Sequence, residues 1–185
     1  MVLAEEAASQ LGLDRVLLVP TGEAPHKAIE ADPGREVRLE LTRRAAAADE
    51  LLEVSDSEVR RDGPSYTLLT LQELREARPG DDLFFLMGAD VAAQLDEWHR
   101  PQRVLELARI AIAARPGTAL DAAEAALERL GAGGRAERIS MPEIGVSSTE
   151  IRRRIAERRP IRYLVPDPVA ELIAERGLYR EAVPA

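Results

Sequence analysis

Short apolar runs alternate along the chain with longer segments in which apolar residues recur every three or four positions. The runs have the length and composition of strands, and the periodic segments predict helices. Strands are expected at 16–19, 51–54, 82–87, 110–113 and 138–141. Helices are expected at about 3–11, 36–48, 67–77, 91–97, 101–107, 119–130, 148–157 and 168–176. This alternation is typical of βαβ units around a parallel sheet, and the run 82–87 is the clearest candidate for a buried strand.

The predicted order begins with a helix, although a doubly wound sheet is built from units that begin with a strand. Residues 3–11 place Leu3, Ala7 and Leu11 on one helical face, and Gly12 ends the segment. Either this helix is an addition in front of the sheet, or the chain begins after its first strand. The order of the predicted elements favours a chain that begins after its first strand.

Composition and charge narrow the classes of partner. The 185 residues suffice for one domain with a sizeable core. The 25 Lys and Arg against 33 Asp and Glu give a net charge of −8, which argues against broad electrostatic capture of nucleic acid or of an anionic membrane. An anionic substrate would therefore need a local basic pocket.

Cysteine and histidine counts exclude further kinds of site. The absence of Cys removes disulfides and thiolate catalysis, and two His argue against a multi-histidine metal site. No run approaches the ~18 apolar residues of a membrane helix, and the first residues lack a basic segment leading into an apolar one. We therefore expect a cytoplasmic protein.

The segment 145–152 (GVSSTEIR) carries the most specific local signal in the chain. Ser147 and Glu150 have the S-x-x-E spacing of a capping box, which by itself explains a helix that begins here. Free N–H groups at a helix start, small hydroxyls and the following Arg152 also make an anion site. From the residues alone, a segment that only caps the helix and a segment that also binds phosphate are equally well supported.

Gly88-Ala89-Asp90 follows the strand predicted at 82–87. Ligands of open α/β sheets bind outside the carboxyl ends of the strands, where an Asp accepts ribose hydroxyls and a Gly lets a nucleotide approach the backbone. The alternative is that Asp90 caps the next helix. Taken alone, the motif slightly favours the cap.

Other motifs are weak when taken singly. The long loop at 21–35 contains Pro25-His26-Lys27, and long loops in compact domains are usually functional, although surface loops carry such residues routinely. Trp98-His99 offers either a platform for a flat ring or a packing residue. Arg115-Pro116-Gly117 is mostly a turn signal, and Ser65-Tyr66-Thr67 has no specific meaning alone.

Taken together and in this order, the motifs resemble those of bacterial nicotinate-nucleotide adenylyltransferases. The resemblance extends from the first residues to about Arg180. The matching segments are Val19-Pro20, Pro25-His26-Lys27, Ser65-Tyr66-Thr67, Gly88-Ala89-Asp90, Trp98, Arg115-Pro116-Gly117, 146–152 (VSSTEIR), 162–166 (RYLVP) and Gly177-Leu178-Tyr179. Each segment is short, and the specificity lies in the set.

The resemblance implies an α/β fold with a Rossmann-like, doubly wound parallel sheet of the nucleotidyltransferase type. It implies a single domain over 1–185, with a core at 1–145 and a C-terminal helical segment at 146–185 that carries the phosphate motif. The implied reaction joins the adenylyl group of ATP to nicotinate mononucleotide in NAD biosynthesis. It releases pyrophosphate and is helped by Mg²⁺.

The resemblance also implies roles for individual residues. On the ATP side, it assigns Ser147, Ser148, Thr149 and Arg152 to the phosphates, Asp90 to a ribose, and Gly88 and Arg115 to the border of the adenosine. On the mononucleotide side, it assigns His26 and Lys27 to the phosphate, Trp98 to stacking on the pyridine ring, and main-chain amides near Tyr66, Thr67 and His99 to the carboxylate.

The chain departs from the family pattern at its start. The family opens with a strand and a turn of the form G-G-x-F-D-P-x-H-x-G-H, whose histidines face the reacting α-phosphate, and the 185 residues contain no such segment. Residues 1–7 match the helix that follows the second histidine. The resemblance thus implies that the first strand is missing from this chain, and it leaves the catalytic residues unidentified.

Two alternatives to this function stay open. A non-catalytic nucleotide-binding protein would have lost the glycine-histidine motif, and in-frame codons for that motif upstream of Met1 would exclude it. An adenylyltransferase for another phosphate, such as phosphopantetheine, is disfavoured by Trp98 together with Ser65-Tyr66-Thr67. The oligomeric state is not indicated by the sequence.

We expect residues 1–185 alone to be marginally folded and essentially inactive, and a form extended upstream to be stable and active, because the missing strand is central in this fold. Dry, unpaired backbone groups cost ~1–3 kcal/mol each, so a handful rivals the ~5–15 kcal/mol stability of a domain. Thermal melts and a pyrophosphate-release assay on both forms measure this. A cooperative melt with full turnover from residues 1–185 contradicts the expectation.

Overall fold

The computed structural model of the chain describes residues 1–24, 31–114 and 120–180. Its strands are β1 (Val16–Leu18), β2 (Leu52–Val54), β3 (Phe84–Gly88), β4 (Arg109–Ala114) and β5 (Glu137–Ser140). Its helices are α1 (Val2–Leu11), α2 (Arg35–Ala46), α3 (Ser57–Arg60), α4 (Thr67–Ala77), α5 (Ala89–Ala92), α6 (Pro101–Leu107), α7 (Asp121–Arg129), α8 (Ser148–Ala156) and α9 (Asp167–Arg176). A 3₁₀ helix, Leu95–Glu97, lies between α5 and α6.

The chain forms two compact units. The first contains Met1–Val16 and Tyr66–Glu143, and the second contains Leu17–Ser65 and Ile144–Ala185. The strands form two sheets. Strands β1 and β2 make a two-stranded sheet, and the other three make a sheet in the order β3-β4-β5. None of the described helices has the length and apolar composition needed to cross a membrane.

The three-stranded sheet of the first unit is parallel throughout. Phe84 of β3 pairs with Arg109 of β4, and Gly88 pairs with Ala113, while Ala111 pairs with Glu137 of β5. Parallel neighbours need crossover connections, which α5, α6 and α7 provide between successive strands. The carboxyl ends of the three strands therefore lie along one edge of the sheet, and Gly88 ends β3 at that edge.

The core of the first unit is centred on β4. Ile110 and Ile112 pack in a cluster with the fully buried Leu95 and Val104, whereas the alternate residue Ala111 packs in a second cluster with α1 and β5. Side chains of a strand alternate between the two faces of a sheet, so β4 is covered on both faces. The run 82–87, predicted as the clearest buried strand, forms β3, in which only Met87 is buried. The buried strand is β4, because it is the middle strand of this sheet.

The second unit packs helices beside the short β1-β2 sheet. Leu39 of α2, Val59 of α3, Ile151 of α8 and Leu172 of α9 are among its buried residues. Arg44 of α2 also donates a hydrogen bond to the carboxylate of Glu175 on α9, at 3.4 Å. This unit thus contains the first residues of the long loop, the start of α8 and the C-terminal helix α9.

The segment predicted as one helix up to residue 97 is divided. Helix α5 ends at Ala92, and the 3₁₀ helix Leu95–Glu97 follows. Ala92 and Leu95 are fully buried, and Trp98 packs against the same cluster. The 3₁₀ helix thus begins at a core residue and leads to Trp98, its C-cap. The short helix α3 had no counterpart among the predicted elements.

Candidate functional site

The residues predicted for the site fall into both units. Tyr66, Thr67, Gly88, Asp90, Trp98 and His99 belong to the first unit, and Ser147, Ser148, Thr149 and Arg152 belong to the second. His26, Lys27 and Arg115 lie outside the described residues.

Gly88 and Asp90 form a close pair at the carboxyl end of β3. A Cβ atom at position 88 would lie 2.5 Å from Oδ1 of Asp90, so the glycine leaves the space that this carboxylate occupies. Asp90 itself is exposed and, within the described ranges, makes no hydrogen bond or ion pair. The N-cap of α5 is Gly88, without a side-chain cap. The alternative that Asp90 caps the next helix is therefore wrong.

Trp98 combines a packing role with an accessible surface. Its ring meets Phe85 edge to face, with centroids 5.7 Å apart and planes at 81°. This is a favoured geometry for aromatic pairs. The side chain is half-buried and packs against the core cluster that contains Leu95. Part of the indole is thus fixed by the core, and the remaining part is open to solvent, as a stacking platform requires.

Tyr66, Thr67 and His99 are brought together in the first unit. The rings of Tyr66 and His99 lie 4.6 Å apart at 31°. Tyr66 is the N-cap of α4, and its carbonyl accepts the N–H groups of Leu69 and Thr70 at 3.0 and 3.4 Å. The N–H groups at the start of a helix lack helical acceptors. The start of α4 therefore offers backbone donors, beginning at Thr67, close to an exposed His99.

Helix α8 begins with the cap that the sequence predicts. Ser147 is extended, and its Oγ accepts the N–H of Glu150 at 3.1 Å. The reciprocal half of the capping box is absent, because the Glu150 carboxylate accepts hydrogen bonds from Arg153 at 2.7 Å and from Arg154 at 2.8 Å instead. Hydrogen bonds from Arg153 and then Arg154 hold the pKa of Glu150 below its usual value.

Arg152 differs from its two neighbours in having no acidic partner in the part of the chain that the structure describes. Arg153 pairs with both Glu150 and Glu157, and Arg154 pairs with Glu150. Arg152 instead donates to Oγ1 of Thr149 at 3.4 Å. The hydroxyls of Ser147, Ser148 and Thr149 are exposed beside it. A charged guanidinium, small hydroxyls and a helix start thus form one anion-receptive surface.

Sequence analysis did not identify Arg38 and Asp32, which belong to the same unit as Arg152. Burial is the main factor that raises the pKa of Tyr179, and the Asp32 carboxylate adds to it, while Arg152 and Arg38 act in the opposite direction. Asp32, Arg38 and Arg152 therefore each lie within electrostatic range of Tyr179. The pattern of α2 carries no signal for Arg38, because the carbonyl groups that it binds, at Thr21 and Gly22, are 17 and 16 residues away in the sequence.

Residues able to bind a metal ion are not clustered in the described segments. These segments contain no group of three or more His, Cys, Asp or Glu side chains that could hold one. Mg²⁺ is commonly bound by substrate phosphates with one or two carboxylates and several waters. The described residues thus fit a divalent cation held chiefly by substrate phosphates better than one held in a protein cage.

Comparison with known proteins places this arrangement in a family. The model of the cytidylyltransferase-like family matches residues 1–154. A probable nicotinate-nucleotide adenylyltransferase of Roseiflexus sp. (strain RS-1) is 42% identical over 180 residues, which cover 97% of this chain and 90% of the relative. A probable nicotinate-nucleotide adenylyltransferase of Thermus thermophilus is also 42% identical, over 97% of this chain and 91% of the relative.

Solved structures agree with this assignment at the level of the fold. The Plasmodium falciparum nicotinic acid mononucleotide adenylyltransferase complexed with NaAD matches with a TM-score of 0.74 at 15% identity, covering 98% of this chain and 92% of that chain. The α/β architecture predicted from the sequence is thereby confirmed. Because the family model spans most of the chain and relatives at 42% identity span nearly all of it, the chain belongs to the nicotinate-nucleotide adenylyltransferases within the cytidylyltransferase-like family.

Proposed function

We propose that the chain transfers the adenylyl group of ATP to nicotinate mononucleotide, giving nicotinate adenine dinucleotide and pyrophosphate, in cytoplasmic NAD biosynthesis. The observation that carries the proposal is Arg152, left without an acidic partner among the described residues and set beside three exposed hydroxyls at the start of α8. Membership of the family supplies the substrates.

The reaction needs alignment and charge neutralisation. A phosphate oxygen of the mononucleotide attacks the α-phosphorus of ATP in line, a new P–O bond forms, and the bond to the β-phosphate oxygen breaks as pyrophosphate leaves. No covalent enzyme intermediate is required. The enzyme must hold two anions together and stabilise the charge that develops on the α-phosphate and the leaving group.

The start of α8 provides the ATP phosphate site in this proposal. A helix N-terminus contributes only ~0.3–1 kcal/mol to binding a charge, so Arg152 must supply much of the affinity. Ser147, Ser148 and Thr149 add hydroxyl donors, and the N–H of Glu150 is already engaged by the cap. Mg²⁺ would enter on the ATP phosphates and neutralise part of their charge.

The adenosine and its ribose would lie at the carboxyl edge of the three-stranded sheet. The exposed Asp90 carboxylate has no partner in the described part of the chain and can accept two ribose hydroxyls. Gly88 lets the nucleotide approach the backbone there. Arg115, which follows β4 in the sequence, would border the adenosine.

The mononucleotide would use the aromatic group of the first unit. The accessible part of Trp98 would stack on the pyridine ring, and backbone donors at Thr67 and near Tyr66 and His99 would bind the carboxylate. A carboxylate offers two acceptor oxygens, whereas the carboxamide of nicotinamide offers one acceptor oxygen and turns an NH₂ donor toward the second backbone donor. His26 and Lys27 would neutralise the phosphate.

We expect nicotinate mononucleotide to support pyrophosphate release with ATP, and nicotinamide mononucleotide to be used far less well. The measurement is steady-state turnover with each mononucleotide and with phosphopantetheine, in the form of the chain that is active. Turnover with phosphopantetheine and with neither mononucleotide would show that phosphopantetheine, and not nicotinate mononucleotide, is the substrate. Nucleotide binding without any turnover would favour a non-catalytic binding protein.

Arg152→Ala should lower kcat/KM for ATP by about ten- to hundredfold, the range expected when a hydrogen bond to a charged group is lost. The folded state should change little, because the hydrogen bonds of Arg152 to the described residues amount to the 3.4 Å contact with Thr149. Kinetics that vary ATP at saturating mononucleotide measure the effect. Arg153→Ala is the matched control, since Arg153 is paired with two carboxylates. If both variants keep the kcat/KM of the parent, Ser147 caps α8 and Arg152 does not bind the ATP phosphates.

Trp98→Phe should keep most activity, and Trp98→Ala should raise KM for the mononucleotide about tenfold, because aromatic stacking contributes ~0.5–1.5 kcal/mol. KM for ATP should change less. Phe85→Leu serves as the control, since it removes the edge-to-face partner without altering the accessible part of the indole. A lower melting temperature for Trp98→Ala without any change in KM would assign Trp98 to the core alone.

A further inference from the structure

The start of α8 carries backbone donors that no described residue accepts. The N–H groups of Ser147, Ser148 and Thr149 bind no carbonyl or side-chain oxygen in the described part of the chain. The N–H of Glu150 differs, because Oγ of Ser147 accepts it at 3.1 Å. Three adjacent N–H groups, at the positive end of the helix dipole, are therefore left beside Arg152.

In a complete capping box, the carboxylate of Glu150 would occupy one of these donors. The acidic side chain of such a box reaches back to the N–H of the N-cap residue, which here is Ser147. A phosphate that binds at the helix start needs the same N–H group, and a carboxylate in that place would also repel the phosphate. Glu150 is thus an internal competitor for any anion that binds at the start of α8.

Two arginines bind this carboxylate and keep it from the helix start. Arg153 donates to Oε2 of Glu150 from Nε at 2.9 Å and from Nη2 at 2.7 Å. Arg154 donates to Oε1 of Glu150 at 2.8 Å. The arginines follow Glu150 by three and four residues, the spacings at which side chains of a helix meet. Both carboxylate oxygens are therefore engaged on the side of Glu150 that faces away from the N-cap.

Each arginine is itself anchored by a second acceptor. Nη1 of Arg153 donates to Oε1 of Glu157 at 3.1 Å, and Nη1 of Arg154 donates to the carbonyl of Pro160 at 3.2 Å. The side chains of Arg154 and Glu150 are only 25% and 29% exposed. An isolated, fully exposed ion pair holds its side chains weakly, whereas a partly shielded network gives them a defined position. The Glu150 side chain is thus fixed by the network, and its place in the capping box stays empty.

We propose that Arg153 and Arg154 are positioning residues for ATP: together they keep the Glu150 carboxylate off the N–H of Ser147 and so leave the start of α8 open to a phosphate. The inference rests on the proposed function, in which Arg152 and this helix start bind the ATP phosphates. The two arginines do not contact ATP in this proposal, because they act through Glu150.

The experiment is a mutant cycle on ATP binding, in the same form of the chain as the turnover assay. Replacing one arginine leaves the carboxylate on the other, so Arg153→Ala and Arg154→Ala are made together, with and without Glu150→Ala. Isothermal titration with ATP and Mg²⁺ gives each dissociation constant, and thermal melts show that each variant is folded.

Arg43→Ala combined with Arg60→Ala is the matched control. These two arginines belong to the same unit and also share one carboxylate, that of Asp56, at 3.3 and 3.0 Å. The control therefore removes two positive charges and frees one acidic side chain away from α8. It should bind ATP as the parent does.

With Glu150 present, loss of both arginines should weaken ATP binding about tenfold, because the released carboxylate takes the N–H of Ser147 from the phosphate. With Glu150→Ala, the same two substitutions should weaken binding less than about threefold, since exposed charges that do not contact ATP are screened. Loss of two positive charges by itself would act equally in both backgrounds, so the difference between the backgrounds measures the effect of the carboxylate.

Equal weakening with and without Glu150 would overturn the proposal and assign the two arginines to general attraction of ATP. No weakening in either background would show that the carboxylate does not compete at the helix start. Arg152→Ala separates these results from a failure of the proposed site. If the parent does not bind ATP, or Arg152→Ala binds ATP as tightly as the parent, α8 is not the phosphate site, and the role of Arg153 and Arg154 fails with it.

Discussion

Burial of β4 on both faces is the constraint on which the first unit depends. Its alternating Ile and Ala residues enter two different clusters, so helices must cover the sheet from both sides. Parallel pairing with β3 and β5 then requires long crossovers and directs three carboxyl ends to one edge. This pairing places Gly88, the last residue of β3, at that edge, and Asp90 follows it two residues later.

In the second unit, ion pairs with carboxylates determine which arginine side chains are left to bind an anion. The protein carries a net charge of −8, yet its arginines are unevenly engaged. Glu150 binds two of three consecutive arginines, and Asp32 binds Arg38, whereas Arg152 has no carboxylate partner in the described residues. An acidic protein can in this way present a positive group at one helix start, because carboxylates pair with the arginines next to it and not with Arg152.

The sequence predicted the elements far better than their relative burial. Periodicity located α4 and α6 because apolar spacing alone specifies a helix. It could not show that β4 is more buried than β3, since burial depends on how many neighbours a strand has. The capping box was predicted in full, but only the Ser147 half of it forms. The S-x-x-E spacing could not show that Arg153 and Arg154 bind the Glu150 carboxylate instead. Arg38 was missed because its acceptors at 21 and 22 are reached only after folding.

The closeness of Gly88 and Asp90 has a consequence for the direction of the free carboxylate. A Cβ atom at position 88 would lie 2.5 Å from Oδ1 of Asp90. Because that oxygen is the end of an exposed side chain, rotation of the carboxylate would accommodate an alanine at position 88 at little cost to folding. Position 88 therefore controls where the proposed ribose ligand points, and a substitution there would act on nucleotide binding before it acts on the stability of the sheet.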